Sequence, residues 1–402
     1  MKKFIAIFFC LLLLTDCNLI KTVKVLRKGE IAQKNFKEEI PFETRAGLIV
    51  IKATINNKEY HFIYDTGATN CVTKEVAEEL KLKPVIDQTA VDAEGKKGGI
   101  QFAMLDEIKL GKISFTNTTA AIIDLKAVPE LACLGVDGLI GANLMRKACW
   151  QIDYVKQTLV FSDNIASLIV PSNAFSFGFS PLISGTPVID VEVAGEKSKE
   201  NVFDTGSSGE ITLSAPTLKN ILKKDKGFKF LRGIGSSSAG LYGKGNDTNY
   251  IAKTENVKIG TLTLTNHIVE FKRDKGNLGS GFFKDYVVTM DWNQKKIWFV
   301  PQPDAKQKWE TFGFGLTKAD KKLVVSYLIE SSPASLAGIK TGDEIISVNE
   351  KDYREISDND YCDMMVRQSP WKKGKKVQLV VRSAEGNAKT IELEKKNLFE
   401  TN

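Results

Sequence analysis

The tripeptide Asp-Thr-Gly occurs twice in this chain, and each copy directly follows an apolar run. The first copy, residues 65–67, follows Phe62-Ile63-Tyr64, and the second, residues 204–206, follows Val202-Phe203. An apolar run that ends in Asp and Gly is typical of a strand that enters a tight turn. The pattern therefore places two carboxylates at two similar strand-to-turn corners.

Two later landmarks repeat in the same register as the tripeptide. The offset is 138 or 139 residues for three pairs: Asp65 with Asp204, Gly141 with Gly279, and Asp153 with Asp291. A repeat of this length is much longer than the unit of a solenoid protein. The register therefore predicts two homologous lobes, called here lobe 1 (residues 46–165) and lobe 2 (residues 166–303).

Both lobes have the residue pattern of β structure. Leu48–Ile55 in lobe 1 and Thr186–Val193 in lobe 2 are rich in β-branched residues, and a polar turn follows each run. Val76–Leu82 has the pattern of a short helix. Frequent short strands separated by turn residues predict a mainly β fold made of two β-barrel lobes.

Each lobe resembles the retropepsin-like aspartic protease unit, and the pair resembles the bilobal, pepsin-like plan over about residues 46–302. The resemblance rests on the two Asp-Thr-Gly corners and on the later corners Leu139-Ile140-Gly141 and Asn277-Leu278-Gly279. It implies that Asp65 and Asp204 form a catalytic pair and that Thr66 and Thr205 hydrogen-bond across the lobe interface. The full set of supporting residues it implies is Thr66, Gly67, Thr205, Gly206, Ser207, Gly141 and Gly279.

The implied chemistry is hydrolysis of extended peptides or proteins by general acid–base catalysis. Two adjacent carboxylates share one proton and titrate as a pair, for which aspartic proteases are the standard example. The pair would activate a water without metal or cofactor. Lobe 2 has Ser207 where lobe 1 has Ala68. Donation by that hydroxyl predicts that Asp204 is the more readily ionised aspartate.

Two glycine-bearing hairpins, at about residues 93–100 and 233–245, lie where flaps occur in such folds. Flaps close over a bound peptide and exclude water. The alternative is that they are ordinary mobile hairpins. For the whole chain, the alternative to an enzyme is a peptide-binding or scaffold lipoprotein with an inert cleft.

The chain after residue 303 has a different pattern. Residues 332–345 read S-P-A-x-x-A-G-I-x-x-G-D-x-I, and this run resembles a PDZ domain, assigned to residues 304–398. The resemblance implies that backbone N–H groups of Gly313, Phe314, Gly315 and Leu316 hold the carboxylate of a peptide C-terminus. Two interpretations stay open: a peptide-binding domain, or a docking module packed on the protease that binds nothing.

Residues 1–17 have the pattern of an export signal. Lys2-Lys3 precedes the apolar run Phe4–Leu14, and Leu14-Thr15-Asp16-Cys17 resembles the lipobox of bacterial lipoproteins. The resemblance implies lipidation of Cys17 and a place in the bacterial cell envelope, in the periplasm or at the outer membrane. A plain secretory signal is the alternative, because Asp16 stands where the family has a small residue. Residues 18–45 are expected to form a tether that ends in an edge strand.

The composition argues against several other functions. The net charge is +7, but the lysines are scattered, so no nucleic-acid face is expected. Two histidines exclude a histidine-rich zinc site. Beyond the signal, the cysteines are Cys71, Cys133, Cys149 and Cys362; they lack metal-ligand spacing, and the sequence leaves their pairing open. Because one chain supplies both aspartates, a monomer is expected.

Overall fold

The computed structural model describes residues 4–5, 16–92, 94–245, 248–273, 275–303, 309–367 and 374–400. Within these residues the chain is mainly β, so the predicted fold class is confirmed. Most of the predicted signal peptide, residues 1–3 and 6–15, lies outside them. None of the helices in the described part is long and apolar enough to cross a membrane.

The N-terminal segment and lobe 1 contain thirteen strands and four helices. The strands are β1 (Phe4–Ile5), β2 (Glu30–Ile31), β3 (Lys37–Pro41), β4 (Glu43–Arg45), β5 (Leu48–Ile55), β6 (Lys58–Asp65), β7 (Cys71–Thr73), β8 (Pro84–Val91), β9 (Lys97–Leu110), β10 (Ile113–Ile123), β11 (Gly138–Gly141), β12 (Cys149–Asp153) and β13 (Thr158–Ser162). The helices are α1 (Asp16–Leu26), α2 (Lys74–Glu79), α3 (Pro129–Ala132) and α4 (Ala142–Met145).

Lobe 2 repeats this pattern. Its strands are β14 (Phe175–Gly178), β15 (Ser180–Pro181), β16 (Pro187–Val193), β17 (Glu196–Asp204), β18 (Ile211–Leu213), β19 (Leu231–Gly235), β20 (Ser238–Gly240), β21 (Gly243–Lys244), β22 (Asn249–Thr254), β23 (Val257–Ile259), β24 (Leu262–Leu264), β25 (His267–Phe271), β26 (Asn277–Gly279), β27 (Tyr286–Asp291) and β28 (Lys296–Pro301). Its helices are α5 (Ala215–Lys224) and α6 (Ser280–Phe283).

The C-terminal region contains six strands and two helices. They are β29 (Phe314–Ala319), β30 (Lys322–Ile329), α7 (Pro333–Leu336), β31 (Glu344–Val348), β32 (Lys351–Asp352), α8 (Asp358–Cys362), β33 (Lys376–Arg382) and β34 (Ala388–Glu394). A separate apolar core fills this region, and Leu323, Tyr361 and Leu379 are among its buried members.

Three large sheets organise the chain. The first has nine strands and belongs to lobe 1, with the order β2-β10-β7-β11-β6-β5-β9-β8 and β4 paired to β5. The second has six strands in the order β14-β28-β27-β12-β13-β3, and it joins the two lobes because β12 of lobe 1 pairs antiparallel with β27 of lobe 2. The third runs from lobe 2 into the C-terminal region, because β19 pairs antiparallel with β30.

Residues 18–45 differ in part from the predicted tether. Their first part belongs to α1, where Thr22 and Leu26 are fully buried and Val25 is half-buried. This spacing gives the helix one face against lobe 1, where the Thr119 hydroxyl donates to the Val25 carbonyl over 2.6 Å. The lysines between these positions hid that periodicity. The predicted edge strand is present as β3, at one edge of the six-stranded sheet.

Candidate active site

Each aspartate of the repeated tripeptide ends a central strand. Asp65 is the last residue of β6, and β11 runs parallel to it with Gly141 opposite Asp65. In lobe 2, Asp204 ends β17, and β26 runs parallel to it with Gly279 opposite Asp204. In both lobes the glycine-bearing strand also pairs antiparallel with the strand that follows the tripeptide. The two corners therefore have the same topology.

The glycines at these corners leave room for the backbone of the turn. A Cβ atom on Gly141 would lie 2.2 Å from the carbonyl carbon of Thr69, and one on Gly279 would lie 2.6 Å from the carbonyl oxygen of Ser207. These contacts are with backbone, which has little freedom to move. Any larger residue would push the aspartate turn out of place.

The two turns are locked together by their threonines. The Thr66 N–H donates to the Thr205 hydroxyl and the Thr205 N–H donates to the Thr66 hydroxyl, each over 3.0 Å. The Thr66 hydroxyl donates to the Phe203 carbonyl over 2.6 Å, and the Thr205 hydroxyl donates to the Tyr64 carbonyl over 2.8 Å. All of these groups are buried, so leaving any one unpaired would be costly. The threonines thus hold both turns in register across the lobe interface.

The hydrogen bonds between Thr66 and Thr205 bring the two carboxyl groups next to each other. Both aspartates are fully buried. The Gly67 N–H donates to Asp65 Oδ1 over 2.8 Å, and the Gly206 N–H donates to Asp204 Oδ1 over 2.9 Å. Each glycine also faces the opposite aspartate, because a Cβ on Gly67 would lie 2.7 Å from Asp204 Oδ1 and one on Gly206 would lie 2.1 Å from Asp65 Cγ. Only glycine allows this approach.

Burial raises the pKa of both carboxyl groups, because ionisation in the apolar interior is unfavourable. The negative charge of Asp204 further raises the pKa of Asp65, which lies well above its usual range. Burial raises the pKa of Asp204 only to about 7, because hydrogen bonds from Asn277, Asp65 and the Gly206 and Ser207 N–H groups favour its ionised form. Burial and the charge of the neighbouring carboxylate therefore favour protonation of the pair, and the hydrogen bonds to Asp204 favour its ionised form.

The sequence predicts that a different donor favours the ionised form of Asp204. The prediction relied on the Ser207 hydroxyl, but that hydroxyl accepts from the Gly209 N–H over 3.4 Å, and Ser207 acts on Asp204 through its backbone N–H. The side-chain donor is Asn277, whose Nδ2 lies 3.3 Å from Asp204 Oδ2. At the constant offset of 138, Asn277 corresponds to Leu139 of lobe 1. This polar residue in place of an apolar one is the sequence feature from which the donor could have been predicted.

Sequence reasoning also missed a pair of asparagines behind the Asp65 turn. The side-chain oxygen of Asn70 accepts from the Gly141 N–H over 2.8 Å, and that of Asn143 accepts from the Asn70 N–H over 2.7 Å. Asn143 also donates to the Thr119 carbonyl over 2.9 Å. These bonds satisfy backbone groups that the buried turn would otherwise leave unpaired. The asparagines therefore position the turn rather than take part in chemistry.

The two glycine-bearing hairpins contact each other. The first is formed by β8 and β9, and its tip residue Asp92 accepts from the Tyr242 N–H of the second hairpin over 2.7 Å. The ring of Tyr242 lies against Gly98, where a Cβ would come within 2.3 Å of it. Glu94 is fully buried between Arg273, at 2.6 Å, and Lys272, at 3.8 Å. This ion pair therefore joins the tip of the first hairpin to lobe 2, and the Asp92–Tyr242 hydrogen bond joins the two hairpins.

The second hairpin also reaches the Asp65 turn. Ala239 and Leu241 belong to the same buried apolar cluster as Ala68, which directly follows Asp65-Thr66-Gly67. Its strand β20 pairs in parallel with the short N-terminal strand β1.

The residues predicted to bind a peptide C-terminus lie at the start of β29. Phe314 and Leu316 are buried and belong to the core of the C-terminal region, and Gly313 adopts a φ of 85° that favours glycine. The Gly313 N–H donates to the Thr311 hydroxyl over 2.9 Å. Cys17, the predicted lipidation site, lies in α1 far along the chain from these groups.

Comparison with known proteins agrees with this geometry. Residues 51–144 match a family model described as aspartyl protease, and residues 303–382 match the PDZ domain. The first match contains Asp65 and Gly141, and the second contains Gly313–Leu316. No curated protein matches the chain. The chain therefore contains an aspartyl protease domain followed by a C-terminal PDZ domain.

Proposed function

We propose that this protein is an aspartic endopeptidase that hydrolyses peptide bonds of extended peptides or proteins, with Asp65 and Asp204 as its catalytic pair. The observation that carries the proposal is the pair of buried carboxyl groups, each facing the glycine of the opposite turn and locked by Thr66 and Thr205. The repeated topology of β6 with β11 and of β17 with β26 supports a bilobal enzyme in a single chain.

The proposed mechanism uses the different proton affinities of the two aspartates. A water bound between them loses a proton to ionised Asp204 as its oxygen attacks the peptide carbonyl carbon, while Asp65 donates its proton to the carbonyl oxygen. Collapse of the gem-diol intermediate breaks the C–N bond as the proton on Asp204 passes to the leaving amine, and one gem-diol hydroxyl returns its proton to Asp65, which restores the pair. The hydrogen bonds from Asn277 and the Gly206 N–H support the ionised form of Asp204.

Cleavage of a peptide library by the full-length protein, read by mass spectrometry, tests this proposal. Asp65→Asn and Asp204→Asn should each lower the initial rate by at least about a thousandfold, since each removes one half of the acid–base pair. Asp320→Asn is the matched control, because Asp320 is an exposed turn residue with a φ of 51° that Asn also tolerates. Activity that survives either active-site substitution contradicts the mechanism. Peptide binding without any cleavage by the wild type would support the inert-cleft alternative.

We also propose that the protein is exported and lipid-anchored through Cys17. The charged and apolar run before Cys17 supports export, as does the disulfide between Cys133 and Cys362, since such bonds persist in oxidising compartments. Mass spectrometry of the mature N-terminus from bacterial membranes should find an acylated Cys17. A Cys17→Ser protein should move to the soluble fraction. An unmodified N-terminus beyond residue 17 would instead indicate a plain secretory signal.

A further inference from the structure

A segment of lobe 1 contacts two elements of the PDZ domain, β29 and α8. Such domains take a peptide as an added strand between one strand edge and a neighbouring helix, which here correspond to β29 and α8. Among the described strands, β29 pairs only with β30, so its other edge faces α8. The segment that lies between them is α3 and the residues that follow it, Pro129–Leu134.

Glu130 of α3 is the residue that enters the groove. Its side chain is 3% exposed. Its Oε1 accepts from the Thr317 hydroxyl of β29 over 2.8 Å and from the Tyr361 hydroxyl of α8 over 2.7 Å. Lys244 of lobe 2 lies 3.2 Å from the same oxygen. A buried carboxylate with two hydroxyl donors and one cation is a satisfied, ligand-like contact.

A disulfide fastens this segment in place. Cys133, at the end of α3, is bonded to Cys362 of α8 across 229 residues of sequence, and Cys133 packs against the PDZ core. Cys71 and Cys149, by contrast, are buried free thiols. While the disulfide is intact, only three residues of chain separate Glu130 from the fixed Cys133, so Glu130 stays close to α8.

The occupied groove is also connected to the second hairpin. Lys244 lies on β21 of that hairpin and contacts both Glu130 and Thr317. Nearby, β19 pairs with β30, so the hairpin and the PDZ domain share main-chain hydrogen bonds. Release of Glu130 would leave Lys244 without its buried carboxylate partner.

We propose that residues 129–134 are an internal ligand of the PDZ groove and that the Cys133–Cys362 disulfide controls their release. A dithiol reductant would transfer two electrons and two protons to the disulfide, giving two cysteine thiols and the oxidised, cyclic dithiol. The freed groove would then accept a peptide that presents a carboxylate to Thr317 and Tyr361. The oxidised protein has the groove closed, and the reduced protein has it open in exchange with the internal segment.

The physical basis is the difference between a covalent and a non-covalent internal ligand. A tethered segment competes at a high effective concentration, and the disulfide raises that competition to near exclusion of any other peptide. Without the bond, only the contacts of Glu130 and its apolar neighbours hold the segment. A peptide from solution can then compete, and removal of the Glu130 carboxylate should favour it further.

The test uses the internal segment itself as the probe. Fluorescein-labelled peptide 126–135 has Ser in place of Cys133 and an amidated C-terminus, so the Glu130 side chain is the only carboxylate of its amino-acid sequence. Its binding is followed by fluorescence anisotropy, with full-length protein carrying Asp204→Asn so that the probe is not cleaved. A second probe has Gln for Glu130 and a free C-terminus, and it distinguishes a side-chain carboxylate from a terminal one.

The expected order of affinity follows from the competition. The oxidised chain should bind the first probe at least tenfold more weakly than the double variant Cys133→Ser/Cys362→Ser does. The triple variant, which also carries Glu130→Gln, should bind that probe at least tenfold more tightly than the double variant. Glu355→Gln, which changes an exposed PDZ carboxylate, is the control and should have no effect. Equal binding by the oxidised and disulfide-free chains, or no binding of either probe to the triple variant, overturns the proposal.

Folding is checked independently of the cysteine substitutions. The Asp204→Asn chain with native cysteines is treated with dithiothreitol, measured, and then reoxidised. Near-ultraviolet circular dichroism should remain native throughout, and probe binding should appear on reduction and disappear on reoxidation. Binding that appears together with loss of the native spectrum would mean unfolding rather than release, and would also overturn the proposal.

Discussion

At the scale of single residues, the two aspartates differ because their neighbours on the adjoining strand differ. Asp204 accepts a hydrogen bond from Asn277, whereas the corresponding position in lobe 1 is Leu139, a buried apolar residue. A donor to the ionised form lowers a carboxyl pKa, and an apolar neighbour does not. One exchange in otherwise equivalent corners therefore gives the two aspartates different hydrogen-bond environments.

Asn277→Leu, which copies the lobe 1 residue, should raise the pKa of Asp204 above about 7. We expect the acid limb of the kcat/KM profile to move upward by about one pH unit, the size of one hydrogen bond to a charged group. Ser207→Ala is the matched control: it keeps the backbone N–H that acts on Asp204, so its acid limb should stay in place. An unchanged profile for Asn277→Leu would assign the base to another group.

Asp204→Asn should stabilise the protein in a pH-dependent way. The folded-state pKa of about 7 lies above the ordinary value of 3.8, so the contribution of Asp204 to stability is full below about pH 4 and is lost as pH rises through 7. Because Asn does not ionise, the variant should be more stable than the wild type at pH 8, by on the order of 4 kcal/mol.

Thermal unfolding of both proteins at pH 4 and pH 8 measures this effect. The variant's melting temperature should exceed that of the wild type at pH 8 and match it at pH 4. Asp320→Asn should show no difference at either pH. A variant that is less stable than the wild type at pH 8 would show that ionised Asp204 is stabilised, not penalised, by its surroundings.

At the scale of elements, the two hairpins are joined by hydrogen bonds between their tips. Glu94 of the first hairpin lies between Arg273 and Lys272 of lobe 2 and also accepts from Ser238 over 2.6 Å. Glu94 is thus held by Arg273 and Lys272 of lobe 2 and by Ser238 of the second hairpin, and removal of its charge weakens these contacts. Movement of the first hairpin away from lobe 2 therefore requires that this ion pair break.

Glu94→Gln should make local opening of the two hairpins more frequent. We expect amide hydrogen exchange in residues 94–98 and 238–244 to become at least about tenfold faster, equivalent to about 1.4 kcal/mol in local opening. Glu107→Gln is the matched control, since Glu107 lies on β9 of the same hairpin but is 45% exposed beside Lys109. If both variants exchange alike, the ion pair does not hold the hairpins.

At the scale of the whole molecule, the PDZ domain is part of the protease framework. Ile251 and Ile268 of lobe 2 share a buried cluster with Tyr327 and Ile329 of β30. The Tyr327 hydroxyl donates to the Asn249 side chain over 2.7 Å. The pairing of β19 with β30 adds main-chain hydrogen bonds to this contact. Together with the disulfide, these contacts attach the domain to both lobes.

Truncation after residue 303 should therefore destabilise the protease lobes. It would expose the apolar side chains of Ile251 and Ile268 and leave the edge of β19 unpaired, which promotes association between chains. We expect lower soluble yield and a melting temperature reduced by several degrees, measured by size-exclusion chromatography and calorimetry. Tyr327→Phe, which removes one hydroxyl, should cost only about 1 kcal/mol. A truncated chain as stable as the full one would show that the domain is merely appended.

Much of the candidate site could be predicted because it is local in sequence. Asp65, Asp204 and their glycines lie in short strand-to-turn patterns that recur at a fixed offset. The tether prediction was incomplete because α1 has only one narrow apolar face among lysines. Asn70 and Asn143 carry no local pattern, since their role is to satisfy backbone groups that the fold brings to them.

The sequence by itself determined the strand pattern, the duplication and the two aspartate corners, because strand propensity, turn chemistry and register act between near neighbours. Only the tertiary structure decided how distant parts meet: the pairing of Cys133 with Cys362, the entry of Glu130 into the PDZ groove and the ion pair of Glu94 with Arg273. These contacts join residues 179 to 231 positions apart on the surfaces of separate units. Their geometry depends on how the units pack, which no short-range pattern encodes.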